Sequence, residues 1–131
     1  MSQNFETAIR SVFEESAAGR IHFGQVIGEL MAAHVESYDV DYRTGRITCY
    51  RKDDVVVESG SNLAAKQIGP TFDADALKVA IRGAQEGRVK FPEFQVLSQQ
   101  AGCVGYTVWI AGRHVTYFGR NGETHIEHFP S

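Results

Sequence analysis

The chain has 131 residues, 43% of them hydrophobic and 22% charged, which is the size and composition of one globular domain. Its formal charge of −3 argues against nucleic acid as the main partner, because phosphate binding draws on a basic patch that displaces counterions. Two cysteines, Cys49 and Cys103, are too few for a disulfide framework. No apolar run reaches a membrane span, and the start MSQNFETAIRSVFEE is acidic and amphipathic, unlike a secretory signal. A single domain over residues 1–131, cytoplasmic and off the membrane, is the expectation.

In chain order, Phe5, Ile9, Val12 and Phe13 recur at helical spacing, and Gly19 ends that helix in the left-handed position glycine takes without penalty. A second helix is predicted over 24–33, with Val26, Ile27 and Leu30 inward. The period then changes to two. Ser37 to Tyr42 alternates aromatic or aliphatic residues with acidic ones, as a strand with one wet face does. Thr44-Gly45 is a turn, and Arg46 to Tyr50 returns as the next strand. Residues 59–72, SGSNLAAKQIGPTF, read as a linker because Gly60 and the Gly69-Pro70 pair interrupt any pattern.

The same order then recurs. Leu77, Ala80, Ile81 and Ala84 mark a helix ended by Gly87, and Pro92 opens a helix to Ala101 with Phe94 and Leu97 inward. Strands follow at Tyr106 to Ile110, His114 to Phe118 and Glu123 to His128, with turns at Ala111-Gly112 and Asn121-Gly122. Asn-Gly between alternating runs is a strong hairpin signal. Sliding the chain by 68 residues aligns the two stretches without a gap: Gly19 meets Gly87, Phe23 meets Phe91, Tyr38 meets Tyr106 and Thr48 meets Thr116. The expected fold class is therefore α+β, an internal duplication of a helix-helix-strand-strand(-strand) unit. Its units are about 5–58 and 73–128, related by a pseudo-twofold, with helices packed on a mainly antiparallel sheet. Phe13, Leu30, Ile47, Ile81, Phe94, Leu97 and Val115 are its expected core.

The phrases FGQVIGELMAAHVESYDVDYRTGRITCYRKDD and FPEFQVLSQQAGCVGYTVWIAGRHVTYFGRNGETHIEHFP resemble the YdfO/YbcV-like bacterial domain of unknown function. Phe91-Pro92, Tyr106, Tyr117, Gly122 and Glu127 ahead of Phe129-Pro130 carry the likeness. In the first unit Gly24 replaces the Pro, and His34-Val35 stands where Gly-Val is usual. The resemblance implies a fold and no activity; some members carry a phage envelope label.

Three residues are candidates for chemistry. Strand alternation predicts that His114, Thr116, His125 and Glu127 share one face of the last hairpin, with Val115, Tyr117 and Ile126 on the other. Two histidines and a carboxylate suit a divalent metal or acid–base catalysis, and they equally suit a solvated face. His22 and His34 fall at helix ends. Cys103 occupies an apolar repeat position without neighbouring Lys or Arg, which marks a buried thiol rather than a nucleophile. Asp39, Asp41, Asp53 and Asp54 give the first unit an acidic exterior. Residues 1–66 hold seven Lys/Arg against ten Asp/Glu, while residues 67–131 hold six of each. Gln95, Gln99 and Gln100 read as surface polar residues, and Tyr42, Tyr50 and Trp109 as core. With no nucleotide fingerprint or metal signature, no cofactor and no metal are expected.

The leading functional expectation is a non-enzymatic binding or regulatory module that uses the groove or edge between its two units, its partner a small ligand, a protein or a second copy in a homodimer. The alternatives are a small metal-dependent or acid–base hydrolase using His114, His125 and Glu127, and a phage-derived structural or assembly protein.

Overall fold

The computed structural model describes the backbone of residues 2–59 and 68–130, and the side chains of residues 5–56 and 68–130. Its elements run α1 (Ser2–Ala17), α2 (Phe23–Ala32), β1 (Val35–Asp41), β2 (Arg46–Arg51), β3 (Val55–Ser59), α3 (Ala74–Gln85), α4 (Phe91–Gln100), β4 (Cys103–Trp109), β5 (His114–Gly119) and β6 (Thr124–His128). All neighbouring strands are antiparallel, in the order β3-β2-β1-β4-β5-β6. The fold is α+β, as its alternation of periods predicts. β3 was not legible as a strand, because Val55, Val56 and Val57 carry no alternation; in space they pair with Tyr50, Cys49 and Thr48. Ser59 thus belongs to a strand rather than to the linker, while 60–67 lie outside the described residues.

Local chemistry sets the helix ends. The Nδ1 of His22 accepts from the Gln25 amide at 3.4 Å, and the His22 amide donates to the Gln25 side chain at 3.0 Å, so His22 caps α2. Asp73 caps α3 by accepting from the Ala76 amide at 3.0 Å. Pro92 occupies the first turn of α4. Past that helix Gly102 takes φ +88°, and a Cβ there would stand 2.1 Å from the Thr71 carbonyl oxygen. The chain ahead of α3 therefore docks on the end of α4: the Gly69 amide donates to Gln99 O at 2.8 Å, and Asp73 N to Ala101 O at 2.7 Å.

The strand registers recur 68 residues apart. Tyr38 pairs with Cys49 and Tyr106 with Tyr117; Val35 pairs with Arg51 and Cys103 with Gly119; each ladder slips at the same place, between Val35 and Ser37 and between Cys103 and Gly105. Left-handed backbone recurs at that spacing too, at Gly19 and Gly87, His34 and Gly102, and Gly45 and Arg113. The outer ladders differ by one residue, since Thr48 pairs with Val57 but Thr116 with Ile126. The cause is loop length: residues 52–54 join β2 to β3, and residues 120–123 join β5 to β6.

The helices cover one sheet face. Phe13 packs edge-on against Tyr38, and Phe94 against Tyr106, at centroid distances of 5.3 and 6.0 Å. Ile9, Leu30, Leu77 and Val108 are fully enclosed in one cluster that draws on both halves. Six of the seven expected core residues are buried. Leu97 is only half-buried, because α4 turns Phe94, Gln95, Ser98 and Gln99 inward and leaves Leu97 on its shoulder. Gln95 and Gln99 are therefore not surface residues; only Gln100 is exposed. Tyr42 is buried as expected, but Tyr50 and Trp109 are 38% and 42% exposed, because alternation from inward Cys49 and Val108 sends them to the uncovered face.

Candidate functional site

The hairpin face expected from the sequence does not form. The Gly119 amide donates to the Glu123 carbonyl at 2.8 Å, closing a three-residue loop, Arg120 to Gly122, that pairs positions of equal parity: Thr116 with Ile126, Val115 with Glu127, Tyr117 with His125. His125 and Glu127 thus point to the helix side with Val115 and Tyr117. His114 points the other way, with Thr116 and Ile126, and its ring lies 6.3 Å from Trp109. The Nε2 of His125 is 3.1 Å from a Glu127 carboxylate oxygen, both side chains largely covered. Among the described residues no three His, Cys, Asp or Glu side chains converge as metal ligands. A reaction that needs His114 beside His125 and Glu127 has no geometric basis here.

The aspartates act in local structure. Asp41 accepts from the Arg43 and Thr44 amides at the β1–β2 turn, at 2.9 and 3.3 Å. Asp54 takes a two-pronged contact from the Arg51 guanidinium at 2.9 Å, and Asp39 accepts from Thr107. Cys103 is fully buried and its thiol lies 3.2 Å from the Gly105 carbonyl oxygen. Burial pushes that thiol up to about 11, so it is protonated and unreactive near neutrality. Cys49 is buried as well.

What the fold does build is a cavity of about 760 Å³ between the helices and the sheet. Phe13 of α1, Phe23 of α2, Ile81 of α3 and Phe94 of α4 form its helical side; Tyr38, Tyr106, Val115 and Tyr117 form its sheet side, and Phe129-Pro130 borders it. Phe23 and Phe129 meet edge-on at 5.9 Å, which brings the end of the described chain onto the wall. Burial raises the hydroxyls of Tyr38 and Tyr117 well above the ordinary tyrosine range, so they stay protonated.

The buried amides of the lining come from α4. Gln95 and Gln99 are 6% and 3% exposed, and both border the cavity. The Nε2 of Gln99 is enclosed yet has no hydrogen-bond partner among the described residues. Such a group costs about 1–3 kcal/mol in a folded protein. Next to it on α4, Ser98 exchanges a 2.7 Å hydrogen bond with the Tyr42 hydroxyl. The sequence reading places Gln95 and Gln99 on the surface, although one signal points inward. At the spacing of 68, Gln95 stands opposite Ile27 and Ser98 opposite Leu30, both predicted core. A glutamine opposite a buried isoleucine marks a buried polar group.

A family model described as a protein of unknown function (DUF1398) matches residues 11–128. Uncharacterized proteins of Mycobacterium bovis and of two strains of Mycobacterium tuberculosis are 40% identical to the chain over 60 residues, 46% of this chain and 37% of theirs. The match thus spans little more than a third of the length of those curated relatives.

Proposed function

The chain belongs to the DUF1398 family of proteins of unknown function, and we propose that it is a non-enzymatic binding module whose cavity between helices and sheet holds a small, mostly apolar molecule. One observation carries this reading: the cavity's polar lining sits where core packing alone calls for apolar side chains. The helix α2 fills its inward positions with Val26, Ile27 and Leu30, whereas α4 fills its own with Phe94, Gln95 and Ser98. Burying an amide whose donor is left unmatched costs free energy, so an apolar residue at position 99 would serve the fold better. The size fits as well, since sites for small molecules run at roughly 300–1,000 Å³ and carry a few polar groups on an apolar wall.

The same reading takes the chain as an internal duplication, with units near 5–58 and 73–128 about a pseudo-twofold axis beside Asp39 and Thr107. The ladders that recur 68 residues apart and the paired left-handed positions support it, and so does the single core cluster shared by both halves. On this view the second unit traded apolar packing for recognition while the first kept it. Among the described residues no helix is long and apolar enough to cross a membrane.

Titration of a neutral fluorescent probe, N-phenylnaphthylamine, tests the reading. Saturable one-to-one binding is expected, and it should be lost in Ala84→Trp, which fills the cavity from α3 while circular dichroism reports an intact fold. Absence of binding to the wild type, or equal binding to a folded Ala84→Trp, would overturn it.

A further inference from the structure

Resting on the cavity reading above, we infer that the ligand is a neutral aromatic molecule bearing a hydrogen-bond acceptor, a ketone, amide or ring nitrogen, which the Gln99 amide recognises. Four observations converge on this class. The first is the Gln99 Nε2 itself, an enclosed donor without a partner among the described residues, on a side chain that borders the cavity. It is covered by the chain rather than open to the cavity, so the acceptor reaches it after a turn about the last side-chain torsion, a broad and roughly two-fold coordinate. Satisfying that donor removes a cost already present in the free protein, and the ligand gains what the fold lacks.

The second observation is charge. Among the described residues no Lys or Arg borders the cavity, and the charged lining is Glu14, Glu127 and His128. A carboxylate or phosphate ligand would enter a low-dielectric space with carboxylates and no fixed cation, and it would pay its desolvation without return. The acceptor is therefore uncharged. Third, the wall is ring-rich: Phe13, Phe91, Phe94 and Tyr117 offer faces and edges to a planar guest, and Phe94 already lies 6.0 and 6.2 Å from the rings of Tyr106 and Tyr117. Fourth, the two buried amides of the lining sit together. Gln95 and Gln99 are one helical turn apart on α4, while Phe13 of α1, Phe23 and Val26 of α2 and Ile21 between those helices bring apolar surface beside Glu14 and Ser16. A guest with one polar end and an apolar ring body matches that division.

The experiment measures the binding of acetylnaphthalene, ethylnaphthalene and naphthoate, all of one ring isomer, to the full chain by calorimetry or by displacement of N-phenylnaphthylamine. Acetylnaphthalene should bind about ten-fold more tightly than ethylnaphthalene, the worth of one hydrogen bond to a buried donor. Naphthoate should bind most weakly. In Gln99→Met the preference for acetyl over ethyl should fall to about one, whereas Glu93→Gln, at an exposed position of α4 outside the cavity lining, should leave it intact. Equal wild-type affinity for acetylnaphthalene and ethylnaphthalene would overturn the acceptor inference and leave the cavity reading standing. Naphthoate as the tightest ligand would overturn the neutral class. Failure of all three compounds to bind would overturn the cavity reading itself. The wild-type comparison decides even if Gln99→Met does not fold.

Discussion

The Thr107 hydroxyl donates a 2.7 Å hydrogen bond to the Asp39 carboxylate across the two central strands, 68 positions apart in the chain. The two residues also face each other directly in the β1–β4 ladder, so each half of the chain presents the same strand position to the other. Thr107 is thus a joint between the halves as well as a member of the uncovered face.

Replacing that hydroxyl by a methyl isolates the bond. Thr107→Val keeps the shape and the strand preference, so its cost reports the interaction with Asp39. A loss of about 1–2 kcal/mol is expected in urea denaturation, since bonds to charged groups are among the stronger ones and this site is partly wet. Asp39→Ala should cost less in the Thr107→Val background than alone, because the bond shared by the two residues is already gone. Full additivity would show that the two groups act separately.

The inward faces of the two helices of the second half separate cleanly in a pair of truncations. Ile81 is 3% exposed in the main cluster, so Ile81→Ala should cost about 2–5 kcal/mol. Leu97 sits half-covered on the shoulder of α4, and Leu97→Ala should cost clearly less, about 1–2 kcal/mol. Equal costs measured by denaturant midpoint would mean that α4 is rotated from the orientation described.

Alkaline solution should weaken the fold through Cys103. Its thiol is raised from 9.0 to about 11 in the folded chain, mainly by burial. The folded state therefore holds a proton that the unfolded state releases, and stability is lost as pH rises from about 9 through 11. The buried hydroxyls of Tyr38, Tyr42 and Tyr117 push in the same direction at still higher pH. Urea midpoints should fall between about pH 8 and pH 10.5, with a shallower fall in Cys103→Ala. A flat profile, or an identical slope in the variant, would show that the thiol is not buried neutral.

Much of this fold was legible because its signals are local. Gly19, Gly45, Gly87 and the Asn121-Gly122 pair mark ends and turns that need left-handed backbone, and most of the helical stripes fall where their periods place them. The third strand of the first half escaped notice because three consecutive valines have no period. The hairpin face escaped for a different reason. Facing residues follow from the parity of the loop, and one residue more or less exchanges every partner, which is how His114 came to be grouped with His125 and Glu127. The cavity residues were hidden because glutamine is normally a surface residue; Gln95 and Gln99 turn inward only because Phe94 fixes the rotation of α4 against Tyr106 and Tyr117.

On the proposed function the binding surface lies inside the molecule, between helices and sheet, and not on the uncovered strand face with Tyr50, Trp109 and Ile126. Amide shift mapping by nuclear magnetic resonance during titration with N-phenylnaphthylamine distinguishes the two directly. Perturbed signals are expected to cluster at Phe94, Gln95, Gln99, Tyr106, Tyr117 and Phe129, with Trp109 and Ile126 unmoved. Perturbations confined to Tyr50, Trp109 and Ile126 would contradict that reading.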